Sequence, residues 1–234
     1  MNKLVSVVIP SLNRFEYLNN AIESVQNQTY QNFEIIIVND GSDDDKYYGD
    51  FFSSNTQIIH LDKNDKNSNG PGNVRNYGID AAKGEYIAFL DDDDVWMETK
   101  LEVQLNKMVE YNLDFSSTEG YFGEGVYNPE IKYDLYNSEK FYKKIKKKYK
   151  GTKFLKKGYP ETWDFEFLKI HNCVVTSSVL VKKNLIQNIG GFRNIPGEGE
   201  DYDCWLGLLK YTNLLYVDIP LFYYDGQHGS GKNY

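Results

Sequence analysis

Long apolar runs alternate with amphipathic stretches along the first half of the chain. The runs "LVSVVIP", "FEIIIVND", "TQIIHLD" and "EYIAFL" are rich in β-branched residues and predict buried strands. Between the first two, Leu18, Ala21, Ile22 and Val25 repeat at helical spacing. "GPGNVRNYGIDAAKG" predicts a second helix that ends at Gly84, and "ETKLEVQLNKMVEY" predicts a third. Continuous apolar strands joined by helices indicate a mostly parallel sheet covered on both faces, an α/β fold.

The pattern changes after about residue 110. "LDFSSTEGYFGEGVY" alternates as antiparallel strands do, and "NCVVTSSVLVKK", "NLLYVDI" and "LFYY" predict further strands. "LIQNIGGF" and "EGEDYDCWLGLLKY" predict helices. Because no repeat or linker separates the halves, we predict one domain over residues 1–234. Its first lobe spans residues 1–110, and a smaller mixed lobe with a C-terminal tail spans residues 111–234.

Composition narrows the class of protein and the compartment. The chain has 234 residues, 41% of them hydrophobic, which is enough for a full core, and its net charge of −8 argues against binding to nucleic acid. Cys173 and Cys204 have neither zinc-site nor disulfide spacing, which favours a reducing cytoplasm. The N-terminal run Leu4–Ile9 is too short for a signal peptide. No run approaches the roughly 20 apolar residues of a membrane span, so we expect a cytoplasmic protein.

Polar side chains follow three of the predicted strands. Pro10, Ser11 and Asn13 follow the first, residues 39–42 with Asp40 follow the second, and four aspartates follow the fourth. Ligands of open parallel sheets bind beyond the carboxyl ends of the strands. The three segments therefore predict a binding site at one edge of the sheet.

The four consecutive aspartates, Asp91–Asp94, have two interpretations. A run of this kind is commonly a solvated turn that caps the next helix, and we keep that interpretation for Asp43–Asp45, which lie in a loop. The Asp91 run differs because a buried strand holds it in place. Mg²⁺ and Mn²⁺ bind one or two carboxylates together with phosphate oxygens of a substrate. The run therefore also predicts a site for Mn²⁺ or Mg²⁺.

Three further segments each carry a structural and a functional interpretation. "NGPGNVRNYG" fits neither the P-loop nor the Rossmann fingerprint. It either forms a tight turn with a helix cap or places Arg75 against a phosphate or a base. "GEGEDYD" either stabilises a helix N-terminus or supplies a general base. The ten lysines of Lys140–Lys157 either form a solvated helix face or contact an anionic membrane or acceptor.

Taken in order, these motifs resemble a known family. "VSVVIPSLNRFEYLNNAIESVQNQTYQNFEIIIVNDGSDD", "GPGNVRNYGIDAAKGEYIAFLDDDDVW" and "GGF…GEGEDYDCWLGL" are similar to the family 2 glycosyltransferases with a GT-A fold. The resemblance covers about residues 4–110 and 173–211. It implies a nucleotide-sugar-binding first lobe, an acceptor-side second lobe, a sugar nucleotide that is often UDP-linked, a divalent metal, and inversion of the anomeric carbon by single displacement.

Site residues are also implied by the resemblance. It places Pro10, Asn13, Asp40 and Arg75 at the nucleotide, with Asp40 accepting a hydrogen bond from the base. Asp91 would lie near the ribose and Asp93 on the metal, and Asp201 would be the catalytic base. The nucleotide-binding set that we predict is completed by Ser11 and Asp92.

His228, in "YYDGQHGSGKNY", is the last predicted site residue. A lone histidine in a tail commonly has no function. GT-A enzymes often supply a histidine from this region, however, and imidazole is a suitable ligand for Mn²⁺. We therefore predict that His228 binds the metal.

Taken together, these features predict a transferase that moves a sugar from a nucleotide diphosphate donor to a glycan or lipid-linked acceptor in cell-surface polysaccharide synthesis. A sugar nucleotidyltransferase is a second interpretation, although "IPSLNRF" lacks the glycines that it would need. The third is a catalytically silent module that binds sugar nucleotides.

Overall fold

The four apolar runs of the first half form the parallel sheet that was predicted. The computed structural model describes residues 3–49, 52–62, 70–195 and 199–228. Strands β1 to β4 lie in the order β3-β2-β1-β4 and pair in parallel, with both faces of β1 buried. They span Val5–Ser11, Phe33–Asn39, Thr56–His60 and Tyr86–Phe89. The parallel α/β prediction is confirmed for this half of the sheet.

Three helices cover this sheet at the predicted places: α1 (Phe15–Gln26), α2 (Pro71–Ala81) and α3 (Lys100–Tyr111). The prediction that α2 ends at Gly84 is wrong, since its C-cap is Ala82. Gly84 instead allows a close backbone approach, because a Cβ there would come 2.7 Å from the backbone nitrogen of Ser6. Glycine is the residue that permits this contact.

The sheet continues through strands of the second half in the order β4-β9-β6-β10-β5. Strand β9 is antiparallel to β4 and β6, whereas β6 and β10 are parallel to each other. The antiparallel prediction for residues 113–127 is therefore only partly right, because β6 is buried on both faces over its first six residues. The remaining strands are β5 (Val95–Trp96), β6 (Phe115–Gly123), β7 (Asp134–Leu135), β8 (Thr162–Trp163), β9 (Leu180–Lys182) and β10 (Leu214–Asp225).

Three predicted strands of the second half differ from the structure. The segment 172–183 forms a strand only in β9, and its centre is a 3₁₀ turn at Thr176–Ser178. The hydroxyl of Ser178 donates to the carbonyl of Val175 at 2.6 Å, a local bond that competes with strand pairing. The two short strands predicted over 213–224 form the single strand β10, whose register shifts on either side of Pro220. Proline cannot donate to the ladder, which explains the irregularity.

Helix α7 (Glu200–Leu208) carries the second acidic motif and is anchored by aromatic packing. Trp205 is fully buried, and its ring lies 5.5 Å from Phe192, 5.7 Å from Phe115 and 6.1 Å from Phe89. This contact attaches the helix to strands β4 and β6 and so orients its first turn. Helices α4 (Tyr142–Lys148), α5 (Phe165–Leu168) and α6 (Lys183–Asn188) complete the same face. None of the helices within the described residues combines the length and hydrophobicity that a membrane span requires.

Candidate active site

A cavity of about 620 Å³ opens beyond the carboxyl ends of β1 and β4, where the sequence predicted a binding site. It brings together most of the predicted site residues from five separate segments of the chain. Those that line it are Pro10, Arg75, Asp91, Asp92, Asp93, Asp201 and His228. Arg14, Tyr136, Asn172, Cys173 and Glu200 line it as well.

Ser11, Asn13 and Asp40 are not among the described residues that line the cavity, and they organise the loops behind it. The Asn13 backbone has a φ of 53°, in the left-handed region that asparagine tolerates better than most residues. Its side-chain oxygen accepts the backbone N–H of Asp43 at 2.9 Å. The backbone N–H of Asp40 donates to the carbonyl of Ser11, also at 2.9 Å. These bonds fix the β1 and β2 ends against each other.

Three of the four aspartates each have a separate polar partner. Asp91 accepts from the guanidinium of Arg75 at 2.5 Å. Asp92 accepts from the hydroxyl of Ser11 at 2.6 Å. Asp94 lies deepest and accepts from the hydroxyl of Ser177 at 2.5 Å. The run is therefore not a solvated turn: Asp92, Asp93 and Asp94 are at most 9% exposed.

Arg14, which the sequence analysis did not select, joins two of these carboxylates. Its guanidinium donates to Asp92 Oδ1 at 3.1 Å and to Asp93 Oδ2 at 2.9 Å, and its side chain is 11% exposed. The signal was available, because Arg14 directly follows Asn13 at the end of the first predicted strand. A basic residue beside the expected position of four aspartates is a candidate counter-charge.

Burial and mutual repulsion disfavour the charged forms of the aspartates in this wall, and the nearby arginines offset this effect only in part. Desolvation and the neighbouring Asp93 raise the pKa of Asp92 to about 7. Desolvation and Asp91 raise the pKa of Asp93 to about 6. Burial likewise raises the pKa of Asp94 well above its usual value. A cation bound here would relieve this repulsion.

The second acidic motif faces the same cavity from α7. Asp201 accepts the backbone N–H of Tyr202 at 2.6 Å and the side-chain amide of Asn172 at 3.2 Å. Burial raises the pKa of Asp201. Arg75 spans the space between the two motifs, since its guanidinium also lies 3.8 Å from a carboxylate oxygen of Glu200. The two acidic groups are thus held across one cavity.

His228 lies in the turn that follows β10. Its Nδ1 is 2.7 Å from Oδ2 of Asp225, and its Nε2 is 3.4 Å from the hydroxyl of Tyr17. Its ring packs against that of Tyr17, with the centroids 4.6 Å apart. The residue is therefore held at the cavity wall by two neighbours.

A divalent cation fits the chemistry of this wall. Carboxylate oxygens with an imidazole nitrogen form a ligand set suited to Mn²⁺, and Mg²⁺ needs the oxygens alone. Desolvation and the neighbouring Asp91 raise the pKa of Asp93, and a cation at this carboxylate would favour its charged form. No group of three or more His, Cys, Asp or Glu side chains in the described ranges already surrounds a common metal position. Phosphate oxygens of a substrate would therefore have to complete the coordination.

The cavity at the strand ends of this mixed α/β sheet is thus lined by acidic residues and faces a half-buried carboxylate, Asp201, on a neighbouring helix. The sequence profile of the family "Glycosyl transferase family 2" matches residues 6–185. The chain belongs to this family, as the resemblance of its motifs predicted. Membership of this family does not support the nucleotidyltransferase interpretation.

Solved structures show that the fold is GT-A. The complex of *S. aureus* TarS 1–349 with UDP-GlcNAc matches 97% of this chain and 59% of TarS 1–349, with a TM-score of 0.68 and 20% identity. The mannosyltransferase PcManGT from *Pyrobaculum calidifontis*, in complex with GDP-Man and Mn²⁺, matches 94% of this chain and 55% of its own, with a TM-score of 0.61 and 14% identity. The predicted fold class is thus confirmed.

Curated relatives carry the same class name. An uncharacterized glycosyltransferase of *Rickettsia typhi*, RT0329, is 30% identical over 91% of this chain. The *Escherichia coli* enzyme WfgD is named a UDP-Glc:alpha-D-GlcNAc-diphosphoundecaprenol beta-1,3-glucosyltransferase; it is 29% identical over 90% of this chain and 72% of its own length. This chain spans 61% of RT0329 and 16% of a *Rickettsia bellii* relative, less than two-thirds of either.

Proposed function

We propose that this chain is a metal-dependent inverting glycosyltransferase that moves a sugar from a UDP-sugar to a hydroxyl of a glycan or lipid-linked acceptor in cell-surface polysaccharide synthesis. The observation that carries the proposal is the opposition of two acidic groups across one cavity. Asp91 and Asp93 line one wall, Asp201 lines the other, and Arg75 spans them. The first group suits a metal-bound diphosphate, and the second suits proton removal.

The donor would bind at the strand ends. Pro10 and Asp91 border the cavity, with Ser11, Asn13 and Asp40 fixing the loops behind them, so the nucleotide would bind against this wall. Arg75 is 5% exposed and charged, so it can pair with a phosphate or the base without a large loss of side-chain freedom.

Asp93 and His228 would hold the divalent cation. Bound there, the cation would neutralise the charge that develops on the departing diphosphate. Asp92 would contribute indirectly: its two oxygens bind Ser11 and Arg14 and so hold the carboxylate run in place.

Asp201 would act as the general base. In a single displacement, the acceptor oxygen bonds to the anomeric carbon as the bond to the diphosphate breaks, and the electron pair leaves with UDP. The acceptor proton passes to Asp201, whose second oxygen remains hydrogen-bonded. The raised pKa of Asp201 makes this carboxylate a stronger base than a solvated aspartate.

Asp201→Asn tests the proposal against its matched control Asp203→Asn. Asp203 lies on the same helix but pairs with Arg193, an exposed residue. Sugar transfer is measured with a panel of UDP-sugars and acceptors, and UDP affinity is measured by calorimetry with Mn²⁺. We expect Asp201→Asn to lose about 10²–10⁴ in rate with donor affinity unchanged, since an amide cannot accept the proton. Near-normal transfer in this variant would refute the assignment.

The wild-type protein and Asp93→Ala complete the test. Asp93→Ala should lose the metal dependence of UDP binding and keep its fold. If the wild-type chain binds the donor but neither transfers the sugar nor hydrolyses the donor, the result would instead support the silent-module interpretation. If the affinity for UDP is the same in Mn²⁺ and in EDTA, the proposed metal dependence is refuted.

The lysine segment, Lys140–Lys157, would contact an anionic membrane or a lipid-linked acceptor. Ile145 and Tyr149 of this segment point into the core and are 2% exposed, so they are not available for insertion into a bilayer. Lys143, Lys146 and Lys150 are exposed, as are most of the other lysines. Contact through Lys140–Lys157 would therefore be electrostatic and peripheral, at the cytoplasmic face of the membrane.

Binding to vesicles tests this contact. Binding to vesicles that contain anionic lipid should fall steeply between 50 and about 500 mM salt, because the Debye length falls well below 10 Å over that range. Neutral vesicles and a variant with the segment's exposed lysines changed to glutamine are the controls. Salt-independent binding, or no binding, would instead support the interpretation of the segment as a solvated helix face.

A further inference from the structure

Asp225 is a fully buried carboxylate whose two oxygens are divided between different partners. Oδ1 accepts the backbone N–H groups of Gly125 at 2.7 Å and Gln227 at 2.9 Å. Oδ2 lies 2.7 Å from Nδ1 of His228. An ionised carboxylate can only accept hydrogen bonds, so Nδ1 must carry a proton in this contact. In the neutral ring, that leaves the lone pair on Nε2, the atom that lies 3.4 Å from the hydroxyl of Tyr17.

The same residue is attached to the aspartate run. The backbone N–H of Asp225 donates to Oδ1 of Asp94 at 3.0 Å, while Oδ2 of Asp94 accepts from Ser177. The hydroxyl oxygen of Ser177 in turn accepts the backbone N–H of Asp91 at 3.0 Å. Three buried side chains therefore connect the turn that carries His228 to the segment that carries Asp91 and Asp93.

On the basis of the metal-binding function above, we propose that Asp225 is a positioning residue that holds His228 in the Nδ1–H tautomer and keeps Nε2 available to the divalent cation. Histidines that bind metals commonly donate their other N–H to a carboxylate, and removal of that partner typically costs 10- to 100-fold in metal affinity. The hydrogen bonds of Asp94 and Ser177 hold the Asp225–His228 pair at a fixed position relative to the aspartate run.

Asp225→Asn separates this role from a structural one. The Asn oxygen can still accept from Gly125 and Gln227, and the Asn amide then faces Nδ1 of His228. An amide donor requires a lone pair on Nδ1, which moves the ring proton to Nε2 and removes the metal-binding lone pair. The fold keeps its backbone bonds while the tautomer changes.

The experiment measures Mn²⁺ affinity in the presence of UDP by the electron paramagnetic resonance signal of free Mn²⁺. Wild type, Asp225→Asn, His228→Ala and the double variant form a cycle, with Asp218→Asn on the exposed part of the same strand as the control. We expect Asp225→Asn to weaken Mn²⁺ binding by about 10- to 100-fold, with no further loss in the His228→Ala background. Asp218→Asn should bind as wild type does.

Each failure has a distinct signature. Unchanged affinity in His228→Ala would refute the assignment of His228 as a ligand, which belongs to the proposed function. A weakened His228→Ala with an unaffected Asp225→Asn would overturn the role of Asp225 alone. An equal loss from Asp225→Asn in both backgrounds would also overturn it, because Asp225 would then act without the imidazole.

A second measurement uses the wild-type, metal-free protein and does not depend on the folding of any variant. Nitrogen-15 chemical shifts of the imidazole at pH 8 report the tautomer. A protonated Nδ1 and an unprotonated Nε2 at His228 are expected. The reverse tautomer would overturn the proposal.

Discussion

The pairing of Arg14 with Asp92 and Asp93 allows a quantitative test of how the carboxylate run is tolerated. Arg14→Met keeps an unbranched side chain about as long as the apolar stem of arginine and removes the charged guanidinium. The change leaves two carboxylates, 5% and 9% exposed, without this partner. Loss of one partner from a buried ion pair typically destabilises a protein by about 3–5 kcal/mol. In a chain of this size, each kcal/mol corresponds to about 2–4 °C, so the melting temperature should fall by about 6–20 °C.

The loss should depend on pH, with a sign that follows from the pKa of Asp92. This pKa is raised to about 7 in the folded protein, so the stability contributed by Asp92 is complete at low pH and is lost as pH rises through 7. Arg14 lowers the pKa of Asp92, and its removal raises that pKa further. The stability of Arg14→Met therefore keeps falling above pH 7, where that of the wild type has levelled off.

Urea unfolding in EDTA at pH 5.5 and pH 8.5 measures the difference directly. The deficit of Arg14→Met should be small at pH 5.5 and complete at pH 8.5, and Asp92→Asn in the same background should recover most of it. Arg193→Met is the control, because its exposed pair with Asp203 is worth no more than about 1 kcal/mol. A deficit that is equal at the two pH values would refute the electrostatic explanation.

Three further changes test other contacts. Asn172→Ala removes a hydrogen bond that lowers the pKa of Asp201, so the acid limb of the pH–rate profile for sugar transfer should move to higher pH. Gly72→Ala places a Cβ 2.5 Å from Cγ of Glu200; overpacking of this kind costs about 1–3 kcal/mol, and unfolding and transfer assays should both register it. Lys100→Met removes a buried ammonium whose pKa burial lowers, so the variant should be more stable than wild type at pH 6 in urea unfolding, and this advantage should shrink as pH rises toward 10.

The first half of the sheet could be predicted because its signal is local. Continuous apolar runs such as Val5–Ile9 are buried on both faces of one sheet, and the intervening helices have a single apolar side. The segment 172–183 could not be assigned correctly from its β-branched residues, because backbone bonds at Thr176–Ser178 and the hydroxyl of Ser178 close a 3₁₀ turn. The sequence predicted two strands separated by Pro220. In the structure, β10 continues through Pro220 as one strand with a shift of register.

Convergence of the strand ends predicted the location of the candidate site, but not how its charges are paired. The placement of Pro10 and Asp91–Asp93 at one cavity follows from the order of the parallel strands, whereas Asp201 was expected there only from the family resemblance. The pairing of Arg14 with Asp92 requires two loops that are 78 residues apart in the sequence to meet. Local patterns place Arg14 near the end of a strand, but they do not specify which carboxylates it contacts.

The position of β10 inside the sheet has a consequence for synthesis on the ribosome. Strand β5, which directly follows the aspartate run, pairs with β10, and the N–H of Asp225 completes the bonds of Asp94. Strands β1 to β4 can emerge and associate early, yet the far side of the aspartate loop has no pairing strand until residue 225 has left the exit tunnel. An incomplete chain would therefore lack both the strand that pairs with β5 and the Asp225 N–H that completes the hydrogen bonds of Asp94.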